Sequence, residues 1–282
     1  MKKMLVTGAQ GFLGLRVALY YASSYEVLAC GHERLDITNK QNVAGLLEEW
    51  RPDVVIHCAA ISDTGYAEQH PEESEVVNLR GTIHVAEACR RMGCKLVYMS
   101  SDQVYNGNVE CGPLSEAVAV RPENVYGRHK WQAEQEVARI CPDAVGLRLT
   151  WMYDLPDSPY RQNRSLPMIL THASACGEQV KAAVREYRGI TCVWDVVRRL
   201  EVCSALPGGI YNFGCSNTKN SYETYLEAAR LLQMAHPERW IQPDTERFPN
   251  HQRNLVMDLT CLRRYGLDFP DTLEGLRQAL EI

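Results

Sequence analysis

The sequence predicts an α/β fold, a doubly wound parallel sheet carrying a smaller C-terminal α/β lobe. Three observations support this. Short apolar runs alternate with longer helical patterns through the first half of the chain, and strands that alternate with helices need right-handed crossovers and therefore a parallel sheet. A glycine triplet stands directly after the first apolar run. The alternation loosens after residue 152, where a stretch rich in proline, serine, aspartate and arginine opens the second lobe.

In chain order, "MLVTG" reads as the first strand and residues 12–23 as the first helix. "EVLAC" and "NKQNVAGLLEEW" repeat the pair, and "DVVIHCAA" supplies a third strand. The helical stretch "EESEVVNLRGTIHVAEACRRMG" follows. In it Val76, Leu79, Ile83 and Ala86 step by three or four, which predicts one buried apolar stripe closed by Gly93 as a C-terminal cap. "KLVYMSS" is the fourth strand, "NVYGRHK" opens the next helix and "AVGLRLTW" is the strand after it. Beyond the loop "MYDLPDSPYRQNRS" come a strand at "GGIYNFG" and a helix from about Tyr222 to Met234. The expected division is a first domain at 1–152, revisited at about 186–212, and a second lobe at 153–185 and 213–282.

Composition narrows the function. The 282 residues carry a formal net charge of -5 without a basic run, so neither nucleic acid nor a membrane surface is an expected partner. Apolar runs stay short of the roughly 18 residues a spanning helix needs, and "MKKMLVTGAQ" turns polar too early for a signal peptide. A soluble cytoplasmic protein is expected. The eleven cysteines are odd in number, and Cys30, Cys58 and Cys192 fall in strand-like runs, which favours reduced thiols over a disulfide framework. Neither Cys-x-x-Cys nor His-Glu-x-x-His occurs, and no metal site is assigned.

"VTGAQGFLG" places Gly8, Gly11 and Gly14 between strand and helix, with Gln10, Phe12 and Leu13 completing the turn. Glycines there allow a tight turn, close approach to a pyrophosphate and close helix packing, with the helix N-terminus toward the anion. A plain strand-to-helix turn can carry the same triplet; its place before repeated α/β alternation favours a dinucleotide. After the second strand, "ACGHERLDIT" offers His32 and Arg34 beside Glu33. A guanidinium fork suits a 2′-phosphate, so NADP(H) is favoured over NAD(H), although a solvated loop fits these residues too.

Ser100 and Ser101 end the fourth strand, and Tyr126 and Lys130 share one face of the helix that follows. Strand carboxyl ends form the ligand crevice of such a sheet. Reducing a carbonyl needs a proton on oxygen, and a phenol with an ordinary pKa of about 10 is a reluctant donor. A nearby ammonium favours phenolate and lowers that value. Tyr126 is therefore the expected acid, Lys130 its tuner and Ser101 a donor to the reacting oxygen.

The stretches "TGAQGFLG", "LDIT", "RPDVVIHCAA", "VNLRGT", "MSSDQVYNG" and "NVYGRHK" resemble the motif series of the extended short-chain dehydrogenase/reductases, within them the dTDP-4-dehydrorhamnose reductase branch. The resemblance implies a Rossmann-type NAD(P)-binding domain, a C-terminal sugar-nucleotide lobe and the roles argued for Ser101, Tyr126 and Lys130. It implies further that Asp36 and Ile37 border the adenine and that Cys58, Ala59 and Ala60 form a small-residue wall beside the cofactor. Asp102, Gln103 and Trp151 become substrate contacts. His57, inside an apolar strand, reads as a hydrogen-bonded core histidine. Two stretches depart from the branch. Gly65 and Tyr66 stand where it carries an acid and a lysine, and "DLPDSPYRQNRS" is longer and more basic. The expected function is NAD(P)H-dependent reduction of a 4-keto-6-deoxysugar nucleotide. A sugar-nucleotide epimerase or dehydratase, and a non-catalytic nucleotide-binding regulatory subunit, remain as alternatives. A homodimer is expected by analogy with the fold.

Overall fold

The computed structural model describes residues 1–281. The first elements are β1 (Lys3–Thr7), α1 (Phe12–Tyr21), β2 (Glu26–Cys30), α2 (Lys40–Trp50), β3 (Val54–His57), α3 (Thr64–Gln69), α4 (Pro71–Ser74), α5 (Thr82–Met92), β4 (Lys95–Ser101) and α6 (Val125–Ile140). Next come β5 (Val145–Leu149), β6 (Trp151–Tyr153), α7 (Leu166–Cys176), β7 (Val180–Ala183), β8 (Glu186–Arg188), β9 (Ile190–Cys192), α8 (Val193–Cys203) and β10 (Gly209–Phe213). The chain closes with α9 (Ser221–Leu231), β11 (Ile241–Asp244), β12 (Arg253–Leu255), α10 (Thr260–Arg263) and α11 (Thr272–Leu280).

Two compact units emerge. The first comprises 1–104, 122–148 and 197–211; the second comprises 105–121, 149–196 and 212 onward. The main sheet has the order β10-β5-β4-β3-β1-β2, with β1 running parallel to both β2 and β3. Succession therefore reverses direction at β1, and the crevice for a ligand opens where the carboxyl ends of β1 and β3 diverge. Leu5, Leu28, Val43, Leu47, Val85 and Leu96 belong to one buried cluster that joins the sheet to its helices. The second unit holds three parallel two-stranded ladders, β7 with β11, β8 with β12 and β6 with β9. Its core includes Tyr153, Leu166, Leu170, Ile190, Ala228 and Ile241. No described helix is long and apolar enough to cross a membrane.

One expectation needs correction. Val76 is 36% exposed rather than core, and Leu79 and Ile83 are only partly buried. The reason is a π-helical turn at Glu75–Gly81 between α4 and α5. Its wider turn breaks the 3.6-residue step on which the stripe was counted and brings Ser74 and Asn78 inward instead. Gly93 does cap α5, with φ +67°.

Candidate active site

The glycine turn is set by backbone geometry. Gly8 has φ +64°, and a Cβ there would stand 2.7 Å from the Ala59 backbone. A Cβ on Gly14 would stand 2.4 Å from the Gly8 carbonyl oxygen. Neither position admits a side chain without moving main chain. Gly11 is the N-cap residue of α1, and no side chain caps that helix, so its first N–H groups are left for a ligand. The Cys58 and Ala59 N–H groups donate to the Thr7 hydroxyl at 3.2 and 3.1 Å, which holds the Cys58–Ala60 loop against the turn. This cradle fits a pyrophosphate. Gln10 lays its side chain over Gly31, where a Cβ would meet it at 2.4 Å.

Beyond β2, His32 and Arg34 are exposed, as is Glu33 between them. The Asp36 carboxylate accepts from the Thr38 hydroxyl at 2.7 Å and the Thr38 N–H at 2.9 Å, which holds it below the usual carboxylate range. Its side chain is thus committed to the turn before α2. Ile37 is buried, its Cδ1 filling the space a Cβ on Gly81 would need.

Between these regions lies a chain of buried hydrogen bonds. Thr82 donates to the Asn78 carbonyl at 2.8 Å and so accepts from His57 Nε2 at 3.1 Å, leaving His57 Nδ1 to accept from Thr7 at 2.7 Å. Burial pushes the His57 pKa down to about 3 and Lys130 adds to this, so the ring stays neutral. Sequence and structure agree on a core histidine. The sign of its pH effect follows. Because the folded value lies below the ordinary 6.5, the unfolded chain binds the extra proton, and stability is full above pH 6.5 and lost as pH falls toward 3. Wild type should lose about 1.4 kcal/mol per pH unit below 6.5 more than His57→Gln in urea titrations. Parallel slopes for the two proteins would exclude the assignment.

At the end of β4, Ser101 donates to Asp102 Oδ1 at 3.2 Å and accepts the Gln103 N–H at 3.2 Å. Gln103 Nε2 donates to the same Asp102 oxygen at 3.0 Å, while its Oε1 accepts from Asn124 at 3.0 Å. Asn124 in turn caps α6 by accepting the Gly127 N–H at 2.6 Å. A Cβ on Gly127 would lie 2.4 Å from the Gln103 carbonyl, so the helix start rests on the turn that carries Ser101. Asp102 and Gln103, read from the sequence as sugar contacts, here bind the serine turn to the tyrosine helix.

Tyr126 is 7% exposed, and burial raises its phenol pKa; Ser101 opposes the shift and the Asp102 carboxylate adds to it. The phenol is therefore held neutral. This differs from the expected lowering by Lys130, because desolvation is the largest influence on the phenol and the charge that acts on it is the Asp102 carboxylate. Lys130 Nζ lies 5.7 Å from the Tyr126 ring centroid and donates to the Met99 carbonyl at 2.9 Å. Burial brings the Lys130 ammonium down to about 8, with Cys58 and Glu134 pulling the other way. One turn further on, Glu134 is gripped at both oxygens by Arg148 (2.9 and 2.6 Å) and accepts from Ser100 at 2.5 Å.

Sequence reasoning missed Asn78, Asn124, Glu134 and Arg148. Asn78 exchanges two hydrogen bonds with the Ile61 backbone, both 2.9 Å, and so pins the loop after β3. Nothing local marked it, since Glu72, Glu73, Glu75 and Arg80 make the same segment polar. Asn124 before "VYG" was legible as an N-cap.

In the second unit Trp151 Nε1 donates to the Arg164 carbonyl at 3.1 Å, and the Arg188 guanidinium sits 5.1 Å from its ring centroid. Burial pushes Glu186 up, but Arg253, then Arg188, the Ser221 hydroxyl and Arg247 outweigh it and hold the carboxyl below the usual range; Arg164 joins Arg188 and Arg247 near Tyr225. A separate cavity of about 530 Å³ is lined by Tyr187, Asn217, Asn254, Asp258 and Arg263 among others, and by none of the residues singled out from the sequence.

A glycine turn at the point where the strand order reverses, with serine, tyrosine and lysine beyond the fourth strand, makes this a Rossmann-type protein of the extended short-chain dehydrogenase/reductase class. The chain belongs to the family described as RmlD substrate binding domain, which matches residues 1–266. It is 31% identical over 249 residues to a probable dTDP-4,6-dihydroxy-2-methyloxan-3-one 4-ketoreductase of Streptomyces antibioticus, covering 86% of this chain and 81% of that one. It is 34% identical over 155 residues to dTDP-4-dehydrorhamnose reductase of Aggregatibacter actinomycetemcomitans, a match spanning 54% of this chain and about half, 52%, of that protein. The fold is that of the Bacillus anthracis dTDP-4-dehydrorhamnose reductase crystallised with NADP, with a TM-score of 0.89 at 24% identity over 100% of this chain and 99% of that one.

Proposed function

We propose that this chain is an NAD(P)H-dependent reductase of a 4-keto-6-deoxysugar nucleotide. The observation that carries the reading is the setting of Tyr126: a buried phenol beside Ser101, with the Lys130 ammonium 5.7 Å from its ring, in the same unit as the glycine cradle. The first unit takes the cofactor and the second takes the sugar nucleotide, whose diphosphate suits the arginines 164, 188, 247 and 253, with Trp151 under Arg188. The guanidinium of Arg34 and the imidazole of His32 favour NADP(H) over NAD(H). All eleven cysteines are free, which agrees with a cytoplasmic setting. A homodimer rests on analogy alone.

When bound, the reduced nicotinamide supplies hydride to the keto carbon. The carbonyl oxygen then gains the charge of an alkoxide, a stronger base than phenolate, and takes the proton of Tyr126. Ser101, once its single hydroxyl proton turns from Asp102, donates a hydrogen bond to the same oxygen, while Lys130, 5.7 Å from the Tyr126 ring, stabilises the phenolate left behind. The cradle at Gly8, Gly11 and Gly14, with the small residues Cys58, Ala59 and Ala60 beside it, would hold the cofactor.

The test is absorbance at the reduced-nicotinamide band, with NADPH and NADH separately, on addition of a dTDP-4-keto-6-deoxysugar. Stoichiometric oxidation, faster with NADPH, is the expected result. Tight cofactor binding without net oxidation would sink the reductase reading.

A further inference from the structure

Among the described residues, one group of histidine, cysteine and carboxylate side chains has ligand atoms close enough to share an ion, and it belongs to the second unit: His172, Cys176 and Glu178, all exposed. The backbone brings them together. Helix α7 buries Leu166, Leu170 and Ala173, which leaves His172 and Cys176, at i and i+4, together on its outer face. The helix ends at Gly177 with φ +67°, and both Gly177 and Glu178 N–H groups donate to the Ala173 carbonyl. That closure folds Glu178 back over the last turn.

The distances suit a small cation. Cys176 Sγ is 3.9 Å from His172 Nε2, and that nitrogen is 3.7 Å from Glu178 Oε2. A tetrahedral zinc with bonds of about 2.3 Å to sulfur and about 2.0–2.1 Å to nitrogen and oxygen sets those pairs about 3.5 and 3.3 Å apart. Rotations of exposed side chains by a few tenths of an ångström close the difference. Sulfur and imidazole ligands select zinc or cobalt over calcium or magnesium.

We propose that His172, Cys176 and Glu178 form a surface site for one zinc-like divalent cation, with the fourth position open to water or another ligand. The cysteine binds as thiolate, so its proton passes to solvent as the metal enters. The site lies among residues that the reductase reading does not use and is independent of it.

The test uses the full chain with cobalt(II) as probe. One equivalent should give a tetrahedral d–d spectrum with a thiolate-to-metal charge-transfer band, and zinc should bleach both. Cys176→Ser should abolish the charge-transfer band, and His172→Ala should weaken binding by at least about tenfold. Replacement of the other exposed thiol, Cys111→Ser, should change nothing. No saturable band in wild type, or a band that survives Cys176→Ser, would overturn the proposal.

Discussion

Arg148→Ala should lose about 3–5 kcal/mol of folding stability, because it leaves the Glu134 carboxylate buried without its counter-ion. Glu134 is 1% and Arg148 5% exposed, so water reaches neither group to replace the lost partner. The pair is bidentate, and Ser100 adds a third bond to the same carboxylate. In urea the midpoint should fall while the slope stays constant, since the surface exposed on unfolding is unchanged. The double variant Glu134→Leu, Arg148→Met should recover much of the loss, because a buried ion pair is worth little more than apolar residues of similar volume. It should also let Lys130 deprotonate at lower pH, since Glu134 is one of the groups holding its ammonium up. A single Arg148→Ala variant within about 1 kcal/mol of wild type would show that the pair carries no such charge.

Tyr126→Phe should lower kcat by about 10²–10⁴-fold, the usual share of a positioned general acid, with cofactor affinity unchanged. The substitution keeps the ring volume, so stability should change by less than about 1.5 kcal/mol and the loss is chemical rather than structural. Because burial holds the phenol above its ordinary value, Tyr126 should not titrate in the working range. Lys130, at about 8, should. The wild-type rate is therefore expected to fall as pH rises through about 8, when the cation that stabilises the phenolate is lost. Turnover of Tyr126→Phe at the wild-type rate would remove the tyrosine from the mechanism.

The parts of this site that could be read from the sequence are those encoded by neighbours in the chain. Gly8 and Gly14 are legible because a positive φ and a close approach each demand glycine, whatever the rest of the protein does. The alternation of strands and helices is legible from apolar runs and helical periodicity, which are local too. The stripe from Val76 to Ala86 was misread because a π-helical turn changes the period without an obvious mark in composition. Asn78 shows the consequence: it sits where a 3.6-residue count expects surface, yet it anchors the loop after β3.

By itself the sequence determined the alternation of strands and helices through β5, the glycine triplet after β1 and the spacing that sets Lys130 one turn after Tyr126. Tertiary structure alone decided that burial raises the Tyr126 pKa rather than lowering it, that Asp102 and Gln103 tie the Ser101 turn to α6, and that Glu134 finds Arg148. The division has one physical cause. Backbone conformation and helical spacing are local, whereas desolvation and the partner of a buried charge are set by residues that meet only when separate elements pack together.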